Sequence, residues 1–424
     1  MLKDGVLRKA RKICRLPAID KDHIVKKGKD LIPVHPDTIN NLRQSIRLPE
    51  LSTDMIVDKS RHLISQSSYY EALFYNKISN YSIPSISAMY ANSKFKTAIY
   101  KTSEESPCLD EIFYKYENLI PYGKEYWFAI FTSVDGKKPM QLVSCFGRRN
   151  SRRSVIDDVE VSGLNPKGNE LNTVVGVWCF DGKRKAYANT VESKTIADKE
   201  SITSAGNGLS MTMSGTVPEY RVTIDSKEIT CDFKLTRPSS GYDVEVLNEL
   251  KMGLNYQVYN LYYDFEGTLN GKEHKGRCYL QKVILSTPMP SWNWCRIIFK
   301  DGSFLVFFKP YIGSKELNYV LRNRGWFYSA RHDKIIWFNN IDVYYDKKQV
   351  NWRFKCNTES CSFDISVRAY ADHCPTFRGA GAFDYHEFMV GVRKFKFTAG
   401  DVEITLKDTG AGAGMVEDGR GIWI

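Results

Sequence analysis

From Tyr126 onward, apolar residues recur at every second position through much of the chain, and the runs break at dipeptides that favour tight turns. Alternation with a period of two puts successive side chains on opposite faces of an extended backbone. Each run therefore predicts a strand and each break a hairpin. The segment 262–309 reads YYDFEGTLNGKEHKGRCYLQKVILSTPMPSWNWCRIIFKDGSFLVFFK and carries two turn signals, Asn270-Gly271 and Asp301-Gly302. In its second hairpin Cys295, Ile297 and Phe299 share one face, and Trp292, Trp294 and Ile298 share the other. The return strand divides into Phe304, Val306 and Phe308 against Leu305 and Phe307. A strand that is apolar on both faces is covered on both. In an antiparallel protein this predicts a barrel wall with a filled or ligand-holding lumen and something packed outside.

The same vocabulary extends in both directions. WFAIFTSVDGKKPMQLVSCF turns at Asp135-Gly136, and VVGVWCFDGKRKAYAN turns at Asp181-Gly182. Three period-two runs follow: Met211/Met213, then Tyr220/Val222/Ile224, then Ile229/Cys231/Phe233/Leu235. Later come Trp352/Phe354/Cys356 with Phe363/Ile365/Val367/Ala369, and Phe395/Phe397 with Val402/Ile404/Leu406 about a turn at 399–401. The pattern of 126–250 recurs loosely in 290–407, with Pro288 and Pro290 interrupting the sheet between them. The tail GAGAGMVEDGRGIWI reads as Gly-rich and flexible, and it follows no strand-to-helix transition that would support a nucleotide loop.

The first 120 residues differ. They read as a helical or irregular extension, with Asp37 a candidate N-cap and LRKARKICRL (7–16) roughly amphipathic. We expect an all-β body behind this extension (1–120), in two β domains at 121–287 and 288–424.

Composition narrows the class. The chain has 424 residues, of which 8 Trp, 25 Tyr and 22 Phe favour β structure. Ten cysteines without a C-x-x-C pair, most within apolar runs, read as buried free thiols in a reducing compartment, although Cys356 and Cys361 flank a turn and could pair. No apolar run is long enough for a transmembrane helix, and no apolar segment follows the charged start as in a secretory signal. The expectation is a soluble cytoplasmic protein. The net charge is +11, and residues 1–30 carry ten Lys/Arg against four Asp. Such an arm is either a solvated terminus or a peripheral contact with acidic membrane. Nucleic acid is a poor fit as a partner, because the aromatics sit in apolar strands and not along the basic stripes.

The succession YYDFEG, GRCYLQKV, a proline break and WNWCRIIFKDGSFLVFF, together with the opening WFAIFTSVDGKKPMQLVSCFG, resembles the tandem-lipocalin (calycin-like) proteins. That family includes carotenoid 1,2-hydratase (hydroxyneurosporene synthase) and Diels–Alderase-type cyclases. The resemblance covers residues 125–407 and implies two lipocalin-like antiparallel β-barrels that hold a bulky apolar ligand of isoprenoid or carotenoid type, with no cofactor. The hydratases' catalytic acids cannot be placed on this sequence position by position.

Acid-initiated hydration, isomerisation or cyclisation of an alkene needs a carboxylic acid, π faces for the cation and a base. Asp264 and Glu266 share a strand face beside Tyr262, Tyr263 and Tyr279. Trp292, Trp294, Trp326 and His332 complete the expected substrate-binding set. If the shared face is the lumen, burial keeps an acid protonated; the alternative is a solvated face. FDYHEF (383–388) offers Asp384 and His386 on one face as a second acid/base pair, with Glu387 beside them. Arg148, Arg149, Arg152 and Arg153 of FGRRNSRR could grip an anion or form a plain basic loop. Metal ligation lacks support, since no H-x-x-x-H occurs and His373-Cys374 stands without local partners; neither does any G-x-S-x-G suggest a hydrolase. Two functions remain open: an enzyme with a carboxyl inside an apolar cavity, and a carrier of hydrophobic ligand that can do without one.

Overall fold

The computed structural model describes residues 96–101, 113–133, 138–166, 168–183, 187–239, 241–251, 254–285, 289–313, 318–320, 322–346, 348–378 and 381–423. All belong to one compact unit, Ser93–Ile424. The expectations for residues 1–95, including the Asp37 cap and the basic arm, and the turn at Asp135-Gly136 lie outside the described residues.

In chain order the first strands are β1 (Lys96–Lys101), β2 (Lys124–Ser133), β3 (Gln141–Arg149), β4 (Ser154–Ile156), β5 (Val159–Val161), β6 (Glu170–Phe180) and β7 (Tyr187–Ala197). Next come β8 (Ser201–Gly206), β9 (Leu209–Thr216), β10 (Glu219–Ser226), β11 (Thr230–Thr236), β12 (Tyr242–Lys251), β13 (Leu254–Leu269) and β14 (Lys272–Leu285). Ten of these form a closed antiparallel barrel in the order β13-β11-β10-β9-β8-β7-β6-β3-β2-β14, with β14 returning to β13. The long β13 makes closure possible. Its second half pairs with β11 and its first half with β12, so one edge serves two strands. Asn270 and Gly271 both take positive φ at the β13–β14 turn, as a two-residue hairpin requires. Strand β1 lies in the stretch expected to be helical or irregular, yet it pairs with β12 over 96–101.

The first barrel is filled. Phe131, Phe233 and Phe265 meet at ring distances of 4.9, 5.3 and 4.7 Å, and Trp127, Phe146, Tyr220 and Tyr263 complete the interior. Residues 113–120 close one end, where the Trp127 indole donates to the Phe113 carbonyl. Beneath that plug lies an ion cluster. Arg148 and Lys282 hold Glu125 at 2.6 and 3.3 Å, with all three side chains at most 1% exposed.

The second sheet comprises β15 (Ser291–Phe299), β16 (Phe304–Gly313), β17 (Asn318–Val320), β18 (Arg324–Ser329), β19 (Lys334–Asn339), β20 (Asp342–Tyr345) and β21 (Asn351–Asn357). It continues with β22 (Ser362–His373), β23 (Thr376–Arg378), β24 (Gly381–Ala399), β25 (Val402–Thr405) and β26 (Gly412–Trp423). Its path is β19-β18-β16-β15-β26-β24-β22-β21-β20. The end strands β19 and β20 are consecutive in sequence, so the sheet curls round its own aromatic core. There Phe338 of β19 meets Phe363 of β22 at 4.7 Å. The all-β fold expected from the alternation is the one observed. The Gly-rich tail is a correction: β26 is a strand paired on both sides, by β15 and β24. Its glycines permit the close approach, since a Cβ on Gly414 would lie 1.9 Å from the Arg296 carbonyl oxygen. Cys356 and Cys361 remain free thiols.

One element crosses between the sheets. The hairpin β4–β5 comes from the first half of the chain, turns at Asp157-Asp158 with positive φ at both, and pairs with β23 of the second sheet. Asp157 locks the join by accepting the Thr376 amide at 2.8 Å.

Candidate active site

Strands β2, β3, β6, β13 and β14 of the barrel turn their outer face toward β15, β16, β18, β24 and β26, and a third apolar cluster fills the seam. This double coverage explains the two-sided pattern read from the sequence. On β15, Cys295, Ile297 and Phe299 enter the second sheet's own core, while Trp292, Trp294 and Ile298 enter the seam. Tyr262 meets Phe304 and Trp326 at 5.3 and 5.9 Å, and Tyr279 meets Trp294 at 5.7 Å.

Among these rings the strand register sets a transverse row. Trp294 lies opposite Glu417, Glu417 opposite Glu387, and Glu387 opposite His373. Because side chains directly opposite in an antiparallel pair share a face, the two carboxyls are neighbours in the seam. Glu387 is 2% exposed and Glu417 8%. Trp292 Nε1 donates to Glu417 Oε2 at 3.0 Å. The Trp178 indole and the Tyr385 phenol both act as donors toward Glu387, with the Glu387 Oε1 and Trp178 Nε1 atoms buried short of ideal hydrogen-bond geometry. The Tyr385 phenol faces both carboxylates, and burial drives it well above the ordinary phenol range.

Burial raises both glutamates above the usual carboxylate range, and the charge of Glu417 raises Glu387 further. Among the described residues no cation relieves them. Two adjacent carboxyls that cannot both ionise retain a proton between them near neutral pH.

A second polar group lines the seam on the barrel side. Glu245 Oε2 accepts from the Tyr262 hydroxyl at 2.6 Å and from Asn260 Nδ2 at 3.0 Å, and its Oε1 accepts from Trp326 Nε1 at 3.3 Å. The Tyr279 hydroxyl donates to Asn260 Oδ1 at 2.9 Å. Arg296, on the seam face of β15, lies with its guanidinium carbon 5.0 Å from the Tyr279 ring centre and 5.5 Å from that of Tyr262.

The structure brings together Tyr262, Tyr279, Trp292, Trp294 and Trp326 of the expected substrate-binding set. Tyr263 points instead into the first barrel's core, and His332 is exposed in the turn Ala330–His332. The expected acids are elsewhere. Asp264 and Glu266 do share a face, but there β13 runs out from under the second sheet. Asp264 is 43% exposed and paired with Arg277 at 2.7 Å, and partial burial raises its pKa as expected, against the pull of Arg277. Glu266 is exposed at a mouth of about 730 Å3 that also gathers Lys138, Lys272 and Lys275. Asp384 is exposed and paired with Arg378 at 3.3 Å. His386 faces the second sheet's core, stacks on Phe388 and lies 3.1 Å from Cys374 Sγ, and burial lowers its pKa. In the arginine run, Arg148 is consumed by Glu125 and Arg149 is buried over the Tyr122 ring at 4.7 Å. Arg152 is exposed, as is Arg153, which pairs with Glu160 at 2.9 Å.

Sequence reasoning missed Glu417, Glu245, Arg296 and Trp178, and passed over Glu387. Parity offered one signal: in FDYHEF, Tyr385 and Glu387 share a face with Phe383 and Met389, the wholly apolar side of the strand. Among the described residues no group of three or more His, Cys, Asp or Glu is placed to hold a metal, and no helix is long and apolar enough to cross a membrane.

No family model matches the chain, and no curated protein matches it. Solved structures with a similar course include an AttH protein from Nitrosomonas europaea, at TM-score 0.48 and 14% identity over 74% of this chain and 97% of that one. CghA, solved with Sch210972, aligns at TM-score 0.45 and 11% identity, over 70% of this chain and 88% of that one. Kievitone hydratase from Nectria haematococca aligns at TM-score 0.41 and 11% identity, over 74% and 92% of the respective chains. At those scores the likeness carries no functional weight, and the site's chemistry must speak for itself.

Proposed function

We propose that the seam between the two sheets binds a bulky apolar, unsaturated ligand of isoprenoid type and that the Glu387–Glu417 pair starts its conversion by protonation. The observation that carries this reading is the opposition of two buried, cation-free carboxyls across β24 and β26 amid aromatic faces. The acid form of the pair gives its proton to one carbon of a C=C bond. A C–H bond forms, the π bond is spent, and the adjacent carbon becomes cationic. The faces of Trp292, Trp294 and Trp178 suit such a cation, which water would solvate and quench in an open site. The carboxylate left behind then recovers a proton in one of three ways. It takes it from a water that attacks the cation (hydration), from a neighbouring C–H (isomerisation), or, once a second double bond has closed a ring and moved the cation, from a C–H beside the new cationic carbon (cyclisation).

Native mass spectrometry followed by lipid extraction identifies what the purified protein retains, and that molecule is then offered to the wild type and to Glu387→Gln and Glu417→Gln. The expected result is an apolar molecule converted by the wild type and held unconverted by both variants. Equal conversion by all three proteins refutes the carboxyls' role. A molecule bound but never converted by the wild type makes the seam a carrier site.

A further inference from the structure

Arg296 is 4% exposed, and its Nε has no hydrogen-bond partner. None of the ion pairs of the described residues includes it, and the titratable groups that act on it are the neutral Tyr262 and Tyr279 phenols, the neutral Cys278 thiol and a second cation, Arg277. Glu245, the carboxylate on the barrel side of the seam, is already occupied by three neutral donors, from Tyr262, Asn260 and Trp326. The contrast with Arg148 is instructive, because that equally buried guanidinium closes on Glu125 at 2.9 Å through Nε and at 2.6 Å through Nη2. Stacking on two phenol faces compensates Arg296 through the plane of its π system, yet leaves an in-plane N–H donor unused. A buried cation with an idle donor is kept at a cost in stability.

We infer that Arg296 binds an anionic oxygen of the seam's ligand, so that the substrate class is an apolar polyene or prenyl chain ending in a carboxylate or comparably acidic group. This rests on the seam being the ligand site. A guanidinium offers such an oxygen a planar, always-charged fork, which a lysine does not. Position supports the assignment. Arg296 pairs with Met415 while Trp294 pairs with Glu417, so the guanidinium lies one side-chain row from the carboxyl pair on the same face. That row spacing is on the order of 7 Å. An anion anchored at Arg296 thus sets which double bond comes to rest beside Glu417 and Glu387, and the register of the chain becomes a specificity device.

The test uses cis-parinaric acid and its methyl ester, two polyenes alike except for the charge, titrated by fluorescence into the wild type, Arg296→Gln and Arg296→Lys. The wild type is expected to bind the acid at least about tenfold tighter than the ester. Arg296→Gln should bind both at the ester's affinity, while Arg296→Lys keeps part of the preference. Equal binding of acid and ester by the wild type overturns the inference and leaves the apolar seam intact. So does an undiminished preference in Arg296→Gln, or in Arg296→Gln's stead an unchanged preference in Arg296→Lys should the first variant not fold. Failure of both probes to bind the wild type overturns the seam as a ligand site together with this inference.

Discussion

Glu125 and Glu387 are both glutamates on strands, and both are almost wholly buried. Glu125 closes on Arg148 and Lys282, accepts the Glu117 amide at 3.0 Å, and sits under a plug of backbone. Glu387 faces another carboxyl, and the donors turned toward it are the neutral Trp178 indole and Tyr385 phenol. The first arrangement satisfies every group by its own neighbours, so it works as a structural lock and holds residues 113–120 on the barrel end. The second sets two acids against each other in an apolar seam with only neutral donors to meet them. Burial alone does not distinguish these two glutamates; what distinguishes them is whether the buried carboxylate is met by cations or by a second carboxyl.

The comparison can be broken in several ways. The largest expected effect is on turnover. Glu387→Gln should lower the rate on the retained ligand by about 10²–10⁴, with ligand binding kept, as measured by single-turnover assay. Near-wild-type turnover would put Glu387 in the same class as Glu125. Conversely, Glu125→Leu should cost about 3–5 kcal/mol in denaturant unfolding, because it strands Arg148 and Lys282 as uncompensated buried charges. An unchanged midpoint would show that the cluster locks nothing.

Smaller effects sharpen the contrast. Burial lifts Glu387 and Glu417 above the ordinary glutamate value of 4.5, so the folded state holds protons that the unfolded state has released. Stability is therefore full below about pH 4.5 and is lost as pH rises from there past neutral. Thermal melting should fall by roughly several degrees between pH 5 and 9 on this account, and Glu387→Gln should flatten the slope. A wild-type slope that the variant keeps would remove the pair as its cause. The smallest effect belongs to Asp264→Asn. Its half-exposed pair with Arg277 should be worth no more than about 1 kcal/mol, with turnover unaltered. A large loss of turnover there would return the acid's role to β13.

How much of this was legible in the sequence depends on what covers each face. The hairpin 292–308 was readable because both faces are apolar, and the structure supplies a core for one and a seam for the other. In FDYHEF the pattern drew attention to Asp384 and His386 and away from the buried Glu387, because local alternation cannot say which face a distant strand will cover. Asp264 and Glu266 share the face of Tyr262, yet the strand outruns its cover after that tyrosine, and strand length against a partner sheet is not written in a local pattern. The arginines of FGRRNSRR looked like surface because charge usually is; Arg148 extends the inward parity of Leu142 and Phe146 and meets Glu125 only through tertiary pairing. In β26 the glycines masked a strand whose alternation survives in Met415, Glu417 and Gly419 on the seam side. There the missing side chains reflect closeness of backbones, not freedom.

The hairpin β4–β5 binds the two halves of the chain into a single inheritance. A polypeptide beginning at Ser291 would lose Val155 and Ile156 from the edge of β23 and lay bare Trp292, Trp294 and Trp326 to water. An open strand edge beside an uncovered aromatic patch is a recipe for aggregation. The second half should therefore aggregate when expressed alone from Ser291, and a recombination event that swapped it between related chains would have to carry along a six-residue borrowing from 154–156 and 159–161.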